Sequence, residues 1–314
     1  MSGGHLQLIE RSATVNSNIK TATLRPISLV SQKLRDYGEL VKFKLNLTVV
    51  FSAVMAYLIA ATGDIAWGAV AILCIGGFCV AGAANALNQV LERDFDKLMK
   101  RTANRPLAAG RMSVSEGVLA AGLLSIIGLM LLAMFNPWAS FFGVMAMLSY
   151  AFLYTPMKRI SPAAIAIGAV PGAMPMLIGC VAFQGQLTSL AIALFALQFF
   201  WQFPHFSAIS WLGFEDYQKA GFRFVASVNG ERDTSMGLQA TIYAVCLVPV
   251  VLVPYFSNQT GLVSAIAVTA LSLTYAAFGW NLYKKNDRKA AMLLMFSSFF
   301  YLPLALVAFW LDKV

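Results

Sequence analysis

Asn85, Asn88, Glu92 and Asp96 recur at spacings of three, four and four in the stretch NALNQVLERDFDKLMKRTANRPL, residues 85–107. On a helix these spacings stack the four side chains along one face, while Asp94 points roughly the other way. The stripe offers two carboxylates and two amides to one volume, with Lys97, Lys100, Arg101 and Arg105 following it. Oxygen donors at a helix end, backed by cations, suit a magnesium ion shared with a phosphate. Asn88, Glu92 and Asp96 are therefore candidate magnesium ligands, and Asn85, Lys100, Arg101 and Arg105 candidate contacts to a diphosphate-bearing substrate. A solvated helix end laced with salt bridges is the plainer reading, and the one-sided spacing counts against it.

Two further groups carry similar chemistry. In YTPMKR, residues 154–159, Lys158 and Arg159 can neutralise a diphosphate leaving group. Tyr154 can turn its ring to a cation or its hydroxyl to an oxyanion. In WQFPHFSAISWLGFEDY, residues 201–217, His205 follows the helix-kinking Pro204 and shares a face with Trp201 and Ile209. A histidine there suits an iron ligand, a proton-transfer group or a polar contact between helices. Asp216 is a candidate second magnesium ligand, with Lys219 three residues on to pair with it or bind substrate. The run GAVPGAMPMLIG, residues 168–179, reads first as a packing seam, since glycine lets helices approach closely.

The elements that must position these residues are set by composition. Of 314 residues, 59% are hydrophobic and 12% charged, with a mean hydropathy of +0.71. That balance belongs to an all-α polytopic membrane protein rather than to a soluble domain. Apolar runs of spanning length occur at 45–61, 67–91, 114–134, 138–154, 163–183, 187–212, 236–256, 262–283 and 291–311, predicting about nine transmembrane helices. Residues 1–42 form a polar arm, expected to be partly disordered, before a membrane domain over 43–314. Within the arm a surface helix is predicted over 29–40, with Leu34, Tyr37 and Leu40 on one face.

All but Lys313 of the 23 lysines and arginines fall in the arm or in alternate connections, on one side of the predicted spans. The positive-inside rule puts that side in the cytoplasm, with the N-terminus and the mouth of the stripe, and puts the C-terminus outside, as suits a plasma (inner) membrane protein. The same bias explains the net charge of +9 without a nucleic-acid partner. Cys74, Cys79, Cys180 and Cys246 lie in apolar runs without a C-x-x-C pair, and read as free, buried fillers.

Taken together, N-x-x-N-x-x-x-E-x-D-x-D running into M-K-R-T-x-x-R-P-L, then Y-T-P-M-K-R, G-A-x-P-G-A-x-P, P-H-F and D-Y-x-K-A-G resemble the UbiA-type intramembrane prenyltransferases. Within them they are similar to the branch that modifies haem. The resemblance implies a helical bundle in which Asn88, Glu92 and Asp96 hold Mg2+, and Tyr154 and Lys158 join them in catalysis. It implies farnesyl diphosphate and haem b as substrates, His205 as the residue that positions haem, and haem O and diphosphate as products. Membrane lipid is then the surrounding medium, and haem A synthase and terminal-oxidase assembly factors are the implied partners. The sequence departs from the family pattern where Ala220 stands in place of a second aspartate after Asp216, and where Phe203 stands in place of a proline before Pro204. An aromatic prenyl acceptor and a non-enzymatic haem carrier are the rival readings. His205 and Glu92 weigh against the first, and the gathering of acids at one mouth weighs against the second.

Overall fold

A computed structural model describes residues 26–223, 227–228 and 231–314. The part of the polar arm before Pro26, where partial disorder is expected, lies outside the described residues. Among those described, nine helices are long and apolar enough to cross a membrane. They follow the hydropathy pattern closely, and the chain is an integral membrane protein.

The elements are α1 (Pro26–Leu40), α2 (Phe43–Ala60), α3 (Trp67–Asp96), α4 (Val114–Ala133), α5 (Pro137–Leu148), α6 (Ala164–Gln184) and α7 (Ser189–Leu212). The short α8 (Phe214–Lys219), a hairpin of β1 (Ser227–Val228) with β2 (Glu231–Arg232), α9 (Met236–Phe256), α10 (Leu262–Lys285) and α11 (Arg288–Leu311) complete the chain. The spanning helices pack largely as chain neighbours, with α2 also against α6 and α11, and α7 against both α9 and α11. The basic connections gather at one end of the bundle, as the charge pattern requires.

Caps set the boundaries. Ser113, Asn136, Thr188 and Asp287 each accept a backbone N–H in the first turn of the helix that follows. At the end opposite the basic connections, Lys313 Nζ donates to the carbonyls of Leu58 and Ala61, both at 2.9 Å, tying the chain end to α2.

Two features differ from the sequence reading. α1 starts at Pro26, earlier than predicted, and of the Leu34–Tyr37–Leu40 face Leu40 is buried against the bundle while Leu34 is 68% and Tyr37 39% exposed. Its rotation is fixed by Asp36, buried and paired with Arg111 at 2.9 Å. α5 runs on through a π-turn, Ser149–Tyr154, and a last short turn, Thr155–Met157. Thr155 Oγ1 donates to the Tyr150 carbonyl at 2.9 Å, spanning the widened turn, and Pro156 lacks the N–H that a regular ladder would use. Such turns often mark functional sites.

The glycine run in α6 is a packing seam, as its composition suggests. Gly168 faces the Tyr154 ring, Gly172 the Gln202 amide and Gly179 the backbone of Ala53 in α2, each too close for a Cβ. Gly179→Leu is therefore expected to separate α2 from α6 and cost about 1–3 kcal/mol. Thermal melting in detergent would register it, with Gly122→Ala as a silent control because nothing lies within 4 Å of that position.

Candidate active site

α3 enters the bundle as an apolar helix and leaves it carrying charge, so its last three turns deliver Asn85, Asn88, Glu92 and Asp96 to the interior. All four are buried. Asp94, on the far side, pairs with Arg93 at 3.2 Å and Lys97 at 2.8 Å in solvent, as its offset in the stripe predicts. The inward residues line a cavity of about 600 Å³ that runs from the basic end of the bundle toward its middle. A volume of that order is typical of small-molecule sites.

At the mouth each carboxylate has its own cation. Lys158 Nζ lies 2.6 Å from Glu92 Oε1. Arg105 Nη1 meets both oxygens of Asp96 at 2.8 Å. The irregular loop after α3 makes the second pair possible: Thr102 Oγ1 donates to the Asp96 carbonyl at 2.9 Å, folding the chain back so that Arg105 reaches the helix end. Arg101 donates to the Tyr217 hydroxyl at 2.8 Å on the cavity wall.

A residue that the spacing argument missed completes the mouth. Lys42 adopts a left-handed backbone (φ 50°) between α1 and α2, a conformation rarely taken by a side chain of this kind. The residue is half-buried, and its ammonium turns inward to donate to Asn88 Oδ1 at 3.1 Å. Burial, then the neighbouring Arg105 and Lys158 charges, push its pKa down to about 7, against the pull of Glu92 and Asp96. Burial likewise lowers that of Lys158, with Glu92 opposing it. With Lys42, Arg101, Arg105 and Lys158 against Glu92 and Asp96, the mouth carries more positive than negative charge in a poorly solvated place. Such a site is completed by an anion.

The amides hold the frame. Asn88 Nδ2 donates to Thr155 Oγ1 at 3.0 Å, which locks the stripe to the π-turn. Asn85 Nδ2 donates to Asn46 Oδ1 at 3.1 Å, tying α3 to α2. The widened turn brings Tyr150 and Tyr154 together on the cavity side, ring centroids 5.3 Å apart, with Lys158 Nζ 4.7 Å from the Tyr154 ring centre.

On the opposite wall, His205 Nδ1 lies 2.7 Å from Ser298 Oγ, and its ring stacks on Trp201 with centroids 5.1 Å apart. Ser298 donates its own proton to the Met295 carbonyl. With its proton there, its oxygen accepts from Nδ1–H in the tautomer that leaves Nε2 a free lone pair.

Four sequence candidates are not brought to the cavity wall. Lys100 is exposed and lies outside the lining. Arg159 lays its guanidinium over the Phe95 ring at 4.3 Å. Asp216 and Lys219 stand away because α8 turns Phe214 and Tyr217 into the bundle, so the other faces of so short a helix look outward. The lining of this cavity is therefore built without these four. Tyr150, Tyr217 and Phe222, which carry no charge pattern, line it instead.

The donors suit a hard divalent cation. Glu92, Asp96 and Asn88 line the cavity from one helix face, and Lys158, Arg105 and Lys42 meet their oxygens. Among the described residues no cluster of three or more Asp, Glu, His and Cys could by itself enclose a metal. A partial oxygen shell, finished by water and phosphate, is what magnesium uses.

A model of the UbiA prenyltransferase family matches residues 49–302. The protoheme IX farnesyltransferase of Cytophaga hutchinsonii is 40% identical over 286 residues, covering 91% of this chain and 100% of the relative. That of Flavobacterium psychrophilum is 39% identical over 298 residues, covering 93% and 97%. In fold, the chain resembles a structure of digeranylgeranylglyceryl phosphate synthase, with a TM-score of 0.75, 21% identity and coverage of 90% and 98%. It also resembles a UbiA homologue from Archaeoglobus fulgidus bound to GPP and Mg2+, with a TM-score of 0.57, 14% identity and coverage of 87% and 99%.

Proposed function

This chain belongs to the UbiA prenyltransferase family, and on that premise we propose that it transfers a farnesyl group from farnesyl diphosphate to a vinyl group of protohaem IX (haem b), giving haem O and diphosphate. The observation that carries the reading is the over-charged mouth at the head of an apolar cavity: cations and oxygen donors for a diphosphate, and apolar walls for its chain.

Asn88, Glu92 and Asp96 would hold Mg2+, which when bound neutralises charge on the diphosphate oxygens. Lys158, Arg105, Arg101 and Lys42 surround the same anion and stabilise it as the C1–O bond breaks. The allylic cation left behind is delocalised and meets the ring faces of Tyr150 and Tyr154. The vinyl group attacks C1, and water captures the cation that results. His205 positions haem, with Nε2 the atom free to meet its iron. The walls exclude bulk water, and no covalent nucleophile is required.

By the charge bias, the mouth and the N-terminus face the cytoplasm, the C-terminus lies outside, and the membrane is the plasma (inner) membrane. Haem A synthase and terminal-oxidase assembly factors are the partners such a product implies.

Mass spectrometry after incubation of the purified protein with haem b, farnesyl diphosphate and Mg2+ tests the reading. A farnesylated haem is expected, and none after chelation of magnesium until the metal is returned. Prenyl transfer to an aromatic acid but not to haem would overturn the haem assignment.

A further inference from the structure

The cavity wall holds a buried polar pair that the diphosphate chemistry does not use. Gln198 and Gln202 lie one turn apart on α7, both 5% exposed and both lining the cavity. They sit about two turns and one turn deeper than His205. Every amide N–H of theirs that is placed in a hydrogen bond goes to backbone: Gln198 Nε2 to the Gly172 carbonyl at 2.8 Å, and Gln202 Nε2 to the carbonyls of Ala169 and Gln198 at 3.0 Å. The amides are thereby fixed in orientation. Gln198 Oε1 is buried with no hydrogen-bond partner. A buried acceptor left unmatched costs about 1–3 kcal/mol, and in the low-dielectric interior of a bundle polar groups by default mark function. Gly172 makes the arrangement possible, since a Cβ there would collide with the Gln202 amide.

An acceptor without a donor beside it selects neither phosphate nor carboxylate. It selects an O–H or N–H donor small enough for a wall otherwise built of residues such as Ala53, Met147 and Ile178. In the reaction proposed above, on which this step rests, the donor is water. We propose that Gln198, held by Gln202 and Gly172, binds the water molecule that ends the reaction. The vinyl carbon bonds to C1 of the farnesyl group as the C1–O pair departs with diphosphate, leaving the positive charge on the neighbouring vinyl carbon. The held water forms the C–O bond there, and the proton it sheds goes to the released diphosphate. Without that water the same cation loses a proton from the adjacent methylene, also to diphosphate, and an alkene replaces the alcohol.

The test is product partition by the purified full-length protein with haem b, farnesyl diphosphate and Mg2+, read by mass spectrometry. Gln198→Leu is expected to consume farnesyl diphosphate within a few-fold of the parent rate. Its alkene-to-alcohol ratio should rise at least about tenfold. Gly172→Ala, whose added Cβ meets the Gln202 amide while the backbone carbonyl that accepts from Gln198 is kept, should shift the ratio the same way by less, and serves as the measurement if Gln198→Leu does not fold. Both variants giving the alcohol at the parent ratio would overturn the water site and leave the reaction standing. A parent protein that farnesylates no haem would overturn the reaction and the water site with it.

Discussion

Asp96→Asn lowers turnover by roughly 10²–10³-fold, the scale seen when one preorganised electrostatic contact to a reacting charge is removed. The side chain is 1% exposed, ends the ligand stripe and holds Arg105 through both oxygens. Asparagine keeps the shape and loses the charge. Two consequences add: a candidate metal shell loses one of its two carboxylates, and Arg105 loses the partner that orients it over the mouth. Breaking a buried ion pair costs about 3–5 kcal/mol when the survivor stays buried, but Arg105 is 23% exposed and can reach water. The fold should therefore survive, and catalysis should not. Diphosphate release measured against magnesium concentration separates these effects, with thermal melting alongside. The variant should need far more metal and still turn over slowly. Asp94→Asn is the matched control, since that side chain is 65% exposed and its pairing with Lys97 is of the surface kind, worth about 0–1 kcal/mol. Unchanged magnesium dependence in Asp96→Asn would sink the ligand assignment.

What could be read in the chain beforehand divides along physical lines. Spans were legible because lipid demands length and apolarity in one run, and the observed ends of α9 coincide with those predicted. The Asn85–Asp96 stripe was legible because helical period is local, and one helix supplies all four residues. Lys42 was not, since nothing local announces that a left-handed residue will turn its ammonium toward Asn88, 46 residues on. Nor was the π-turn, whose signal is a proline and a threonine in an otherwise regular apolar run. Gln198 and Gln202 carry no charge and lie within an otherwise apolar run, so only their one-turn spacing inside a span marks them. Asp216 and Lys219 show the opposite case. Their charge suggested ligation, but the aromatic residues beside them decided which face of α8 turns inward.

Lys158→Met is the second large effect, and its interpretation depends on a partner variant. Lys158 Nζ sits 2.6 Å from Glu92 and 4.7 Å from the Tyr154 ring centre, with the side chain 11% and Glu92 4% exposed. Methionine keeps the bulk but leaves Glu92 charged and buried without its cation, so stability should fall by about 3–5 kcal/mol. Activity should fall by roughly 10²–10³-fold, because the ammonium would stabilise charge that grows as diphosphate leaves. One variant cannot distinguish these causes. Adding Glu92→Gln removes the orphaned charge and should restore the melting temperature, since replacing both members of a buried pair is often neutral. It should not restore kcat, because neither the leaving-group cation nor the anionic metal donor returns. A double variant that recovers both stability and turnover would mean the pair is structural, and that Lys42, Arg101 and Arg105 alone carry the leaving group. Recovery of stability without turnover separates the two roles of Lys158, balancing Glu92 at rest and diphosphate in the transition state.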